Sequence, residues 1–151
     1  MQILDFSSGF RIPSALWTNT SIPLEYKCTN HKLYDLAYPK TDDDKEVPAD
    51  LWTSPALSLT EKVTWVAIKH FVDAHGLCTM PLEDLSHFVI LKDWKSVAPC
   101  ISKLIALSFL DVVDMDGKEC YFAHIPSEKP HPKADERRRS NEISYMYEVL
   151  Q

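Results

Sequence analysis

Between residues 58 and 76 the apolar positions Val63, Val66, Ala67, Phe71 and Ala74 recur at helical spacing. Ser58-Leu59-Thr60-Glu61 stands in front of them as a capping box, in which the Ser58 hydroxyl accepts the Glu61 N–H and the Glu61 carboxylate reaches back. The pattern predicts an amphipathic helix of about 15 residues that stops at His75-Gly76. A second, short helix follows Pro81, with Leu82, Leu85, Phe88 and Val89 on one face. A third carries Val97, Cys100, Ile101, Leu104 and Ile105, an i, i+3, i+4, i+7, i+8 stripe. Pro99 fits only where its missing N–H would be orphaned anyway, so this helix should begin near Ser96, with Ser96 as N-cap. The period then changes from helical to alternating. Leu110–Asp114 and Glu119–His124 are β-rich and flank Asp116-Gly117, a pair suited to the positive φ of a two-residue hairpin turn.

On either side the pattern is weaker. Residues 1–46 are broken by Pro13, Pro23 and Pro39 and carry the acidic run Asp42-Asp43-Asp44-Lys45-Glu46, so an irregular segment packing on the core is expected. Ile12-Pro13-Ser14-Ala15-Leu16-Trp17-Thr18 returns as Val47-Pro48-Ala49-Asp50-Leu51-Trp52-Thr53, either as two copies of a docking element or as two unrelated core anchors. Residues 126–151 begin with a polar linker holding Pro126, Pro130 and Pro132. A helix follows from about Ala134 to Leu150, with Ile143, Met146, Tyr147 and Leu150 on one side.

Composition narrows the function. The 151 residues include 3 glycines and 10 prolines, too little glycine for a phosphate-cradling loop. No apolar run suits a bilayer, and MQILDFSSGF lacks the basic and apolar regions of a secretory signal, so a cytoplasmic protein without a membrane partner is expected. Four cysteines without a regular framework read as reduced thiols. The net charge of −6 divides as eight acids against five bases over residues 1–55, nine against six over 56–125 and five against five over 126–151. No basic core is hidden behind an acidic tail.

Val47-Pro48-Ala49-Asp50-Leu51-Trp52 followed by Leu59-Thr60-Glu61-Lys62-Val63 resembles the lead-in of winged helix-turn-helix domains in phage and plasmid replication initiators and related regulators. Pro81–Phe88 is similar to the second helix of those domains, and Lys95–Leu110 to their recognition helix and its exit into the wing. The resemblance covers roughly residues 47–124 and implies an α+β winged helix-turn-helix, three helices plus a β-hairpin, at 47–125. It also implies a third helix that enters the major groove and a wing that touches the backbone. Carried over, the groove-facing positions are Lys95, Ser96, Ala98, Pro99, Ser102 and Lys103, and the wing tip is Asp116, Gly117 and Lys118. Lys92, Lys95, Lys103, Lys118 and Arg137-Arg138-Arg139 are the candidate phosphate contacts.

This chain departs from the pattern in offering Ala98 and Pro99 where base readout favours Arg, Lys, Asn or Gln, and in surrounding the surface with Asp93, Asp111, Asp114, Asp116 and Glu119. Two functions are therefore weighed. One is a DNA-binding replication accessory or transcriptional regulator of a phage or other mobile element. The other is an acidic protein-interaction module that meets a basic surface of a nucleoprotein complex, as a phage counter-defence inhibitor of the anti-CRISPR type would, with Asp93, Trp94, Asp114 and Asp116 as contacts. No nucleophile–base arrangement announces an enzyme, and no cofactor is expected. Cys28-x-x-His31 and His75-x-x-Cys78 form a zinc ligand set only if they converge, but His75 already suits a helix C-terminus and Cys78 an apolar segment. Trp65 reads as core. The C-terminal helix either packs on the rest or pairs with a second copy.

Overall fold

Pro13 and Pro48 each end a three-residue strand and start a single helical turn, because proline fixes φ and has no N–H to lose. In the computed structural model, which describes residues 9–19, 21–89 and 96–150, β1 (Phe10–Ile12) runs through Pro13 into α1 (Ser14–Trp17), and β2 (Lys45–Val47) runs through Pro48 into α4 (Ala49–Trp52). The two prolines share one conformation, φ −57 and ψ 142 at Pro13 against φ −63 and ψ 143 at Pro48. Between them lie α2 (Leu24–Thr29), again led by a proline, and α3 (His31–Ala37).

The repeat is thus structural. Its strands pair antiparallel, Phe10 with Val47, Arg11 with Glu46 and Ile12 with Lys45. Exchanging the two copies turns the Phe10–Val47 pair into the Lys45–Ile12 pair and returns Arg11–Glu46 onto itself, so a local two-fold axis passes through Arg11 and Glu46. Leu16 and Leu51 are fully buried and Trp17 and Trp52 nearly so. The copies are core anchors, not exposed docking elements. The expectation of an irregular N-terminal segment is corrected: its prolines initiate short elements instead of preventing them.

α5 (Leu59–His70) is the central helix. Its capping box forms as the sequence predicts: the Glu61 N–H donates to Ser58 Oγ at 3.2 Å and the Ser58 N–H to Glu61 Oε1 at 2.7 Å. Val63 through Ile68 are all buried, since α2 packs on α5 from one direction and α6, α7 and β4 from others. Trp65 is core as expected, its indole N–H shared between the carbonyls of Phe109 and His124. The helix ends at His70, earlier than the apolar spacing predicts. Asp73 Oδ1 takes the N–H groups of His75 and Leu77, and Val72 forms a bridge with Cys78, so the chain reverses through residues 73–77, with Gly76 at φ 78 inside the turn.

α6 (Leu82–Val89) buries Leu85 and Val89, and α7 (Val97–Ala106) buries Val97, Cys100, Ile101, Leu104 and Ile105. Ser96 precedes α7 as expected, but its hydroxyl does not cap the helix. At the other end Phe109 N–H reaches the Leu104 carbonyl and Ser108 N–H the Ile105 carbonyl, with Ser108 at φ 68 in the position glycine usually takes. β3 (Leu110–Met115) and β4 (Lys118–Ala123) form the predicted hairpin, with φ 56 at Asp116 and 82 at Gly117. Cys78 bridges to Tyr121, which lays the segment after α5 against the outer edge of β4 at one residue. On the free edge of β3, Ala134 pairs with Val113 and the Asp135 N–H donates to the Val112 carbonyl. α8 (Glu136–Leu150) then packs against α7 and β3. Its start is capped by Asp135, whose Oδ1 accepts the N–H groups of Arg137 and Arg138.

Candidate nucleic-acid interface

The surface that the sequence points to is made of α7, the tip of the β3–β4 hairpin and the first turn of α8. Ser96, just before α7, and Pro99 within it are exposed, and Ala98, Ser102 and Lys103 are half-buried. Lys103 is not a free cation. Its Nζ lies 3.1 Å from Glu61 Oε1, the oxygen that also closes the capping box of α5, so the side chain ties α7 to α5. Lys92, Asp93, Trp94 and Lys95 lie outside the described residues. At the hairpin tip Asp114, Asp116 and Lys118 are all exposed, and Asp114 Oδ1 accepts the Gly117 N–H at 2.8 Å, which fixes the turn.

The arginine triplet does not present three cations to one surface. Arg137 is exposed. Arg138 bonds Glu142 one turn along α8 at 3.0 Å and Glu119 on β4 at 2.6 Å. Arg139 pairs with Asp111, whose side chain is fully buried. Cations at a helix N-terminus are misplaced against the dipole unless partnered, and two of these three have their partners within the chain.

Asp111 is a junction. Besides Arg139 it accepts the His131 N–H at 2.9 Å, and His124 Nε2 sits 2.9 Å from its Oδ2 without being aligned as a hydrogen bond. His124 Nδ1 faces the Ile125 carbonyl at 2.9 Å, and since a carbonyl only accepts, Nδ1 carries a proton. A buried carboxylate needs such company, because leaving water without partners is strongly unfavourable. Sequence reading misses this cluster. Alternation along β3 predicts an outward Asp111, whereas Leu110 through Val113 are all buried because α8 and the strap of residues 126–135 lie over that edge.

Elsewhere, a cleft of about 580 Å³ is lined by Trp17, Asp42, Asp43, Asp44, Lys45 and His70. His70 stacks on Trp17 at 4.0 Å, and burial, then Lys45 and Lys27, push its pKa down to about 4, so the ring is neutral at neutral pH. The four candidate zinc ligands do not gather. His31 stacks on Phe10 and faces the Cys28 carbonyl, burial pushes the Cys28 thiol up to about 12, His75 is exposed, and Cys78 is held in its bridge to Tyr121. Among the described residues no three His, Cys, Asp or Glu side chains meet at metal-binding distance, and no helix is long and apolar enough to cross a membrane. Comparison with protein families, with curated proteins and with solved structures finds no match to this chain.

Proposed function

We propose that residues 47–125 form a winged helix-turn-helix and that the chain is a non-catalytic double-stranded-DNA-binding protein of a phage or other mobile element, a replication accessory or transcriptional regulator. One observation carries this reading. The segment after α5 makes a single bridge, Cys78 to Tyr121, onto the second strand of the hairpin, and the hairpin leaves directly from α7, an order of three helices and a β-hairpin that matches the one a winged helix uses. The ion pairs redistribute the charge. Arg138 and Arg139 are withdrawn as phosphate contacts, but they neutralise Glu119 and Asp111, two of the acids that would repel DNA. Lys118 and Arg137 remain against Asp114 and Asp116 on the described surface, and the sequence adds Lys92 and Lys95.

About four phosphate contacts correspond to a log–log salt slope of about −3 to −4. Duplex binding measured across a salt series should show that slope, reduced by about one unit in each of Lys95→Glu and Lys118→Glu and barely changed in Lys103→Gln. Absence of binding at low salt would sink the proposal. The exposed carboxylates at the hairpin tip favour a second reading, an acidic module that docks on a basic surface of a nucleoprotein complex. The two readings respond oppositely to Asp114→Lys with Asp116→Lys: duplex affinity rises under the first, and affinity for the basic partner falls under the second.

A further inference from the structure

We propose that α8 and the strap before it are an intramolecular cover on α7, held shut at Asp111, and that DNA binding requires the cover to lift. This rests on the DNA-binding reading of α7. The core side of α7 carries Val97, Ile101 and Leu104. The flank toward α5 carries Lys103, bound to Glu61. α8 also packs against α7, and the helical angles left to it are those of Ala98, Ser102, Ile105 and Ala106. Burial agrees with that placement: Ile105 is 1% exposed, and Ala98, Ser102 and Ala106 are half-buried, whereas Pro99 and Ser96 are exposed. Small side chains at 98, 102 and 106 let a second helix approach closely. Two of the positions that would face bases, Ala98 and Ser102, thus lie on the covered flank.

The cover is fastened at a few points, all along β3 and β4. His131 N–H and the Arg139 guanidinium bind Asp111, the Asp135 N–H binds the Val112 carbonyl, Ala134 pairs with Val113, and Arg138 bridges to Glu119. Residues 126–130 between β4 and the first fastening are exposed, which leaves slack for the strap to swing out.

Arg139→Gln and Arg138→Gln in the full-length chain test this, since each removes a positive charge and by charge alone weakens DNA binding. Three readouts are taken: amide exchange across residues 131–150, thiol labelling at Ser102→Cys, and affinity for a short duplex at fixed low salt. The expected result for Arg139→Gln is faster exchange confined to 131–150, faster labelling at position 102, and duplex affinity raised about five- to tenfold despite the lost charge. Arg138→Gln, on the more exposed pair, should give the same pattern at lower amplitude and guards against a variant that fails to fold. Faster exchange with unchanged labelling overturns the cover. Faster labelling with equal or weaker duplex binding overturns its inhibitory role while leaving DNA binding intact. No duplex binding by native or released protein overturns the DNA reading and the inhibitory role together, with labelling still deciding the cover.

Discussion

Two carboxylates, Asp44 and Asp111, are each met by an arginine far away in sequence, and their surroundings differ in kind. Asp44 accepts the N–H groups of Ser14 and Thr41, the Thr41 hydroxyl and the Arg11 guanidinium. Arg11 in turn pairs with Asp35 and donates to the Tyr38 carbonyl. Every one of these groups lies within residues 11–44, so the cluster closes the N-terminal third onto itself. Asp111 joins the hairpin to His124, to the strap through His131 and to α8 through Arg139. The first carboxylate holds one piece of the molecule in shape. The second holds one piece against another, and a joint of that kind can open without the rest unfolding.

Replacing Asp111 by Ala should have the largest effect. It leaves Arg139 without its counter-charge and the His131 N–H without its acceptor, and should destabilise the chain by about 3–5 kcal/mol in urea unfolding, with the earliest amide exchange in residues 131–150. If exchange accelerates evenly over the whole chain, the contrast between the two sites is lost. Asp44→Ala leaves the Ser14 and Thr41 N–H groups without their acceptor and Arg11 with Asp35 as its remaining carboxylate, and should cost about 2–3 kcal/mol, with the loss centred on residues 10–53. Protection of 131–150 should not change.

Acid should separate two further groups. Burial alone would raise the Asp44 pKa, but the hydrogen bonds from Thr41, Ser14 and Arg11 outweigh it and hold the carboxyl at about 2. Its folded value lies below that of the unfolded chain, so its contribution is present above about pH 4 and lost as pH falls through 2. His70, held at about 4 against about 6.5 unfolded, takes up its proton first in the unfolded chain, so stability declines as pH falls from about 6.5 to 4. Urea midpoints followed against pH should lose the upper step in His70→Gln and the lower step in Asp44→Asn. Persistence of either step in its variant refutes that assignment. The smallest change should be a gain: Ser108→Gly relieves the positive φ at the end of α7 and should add about 0.5–1 kcal/mol without altering either carboxylate site.

What was legible in the sequence was local. The Ser58–Glu61 box, the α7 stripe with Pro99 in its first turn and the Asp116-Gly117 hairpin each involve residues a few positions apart, and each is present. The premature end of α5 at His70 turned on the side chain of Asp73, which apolar spacing does not register. The prolines of the first third suggest breaks in regular structure, yet Pro13, Pro23 and Pro48 each stand just before a helix, where proline is a start signal. The candidate site was legible in residue type but not in state. Lys103, Arg138 and Arg139 look like phosphate contacts until their partners at Glu61, Glu119 and Asp111 are known, and no sequence period links residue 139 to residue 111.

The two-fold through Arg11 and Glu46 bears on how molecules avoid one another. Strands β1 and β2 occupy equivalent places in the repeat, so a β1 from one chain meeting a β1 from another would find the same antiparallel register, as would two β2 strands. In the first encounter Arg11 would oppose Arg11, and in the second Glu46 would oppose Glu46, both destabilising placements. Only the unlike pair sets opposite charges across the axis. The opposite charges at the two central positions thus direct each strand to its own chain's partner and turn away the crossed pairings that lead to exchanged dimers and aggregates.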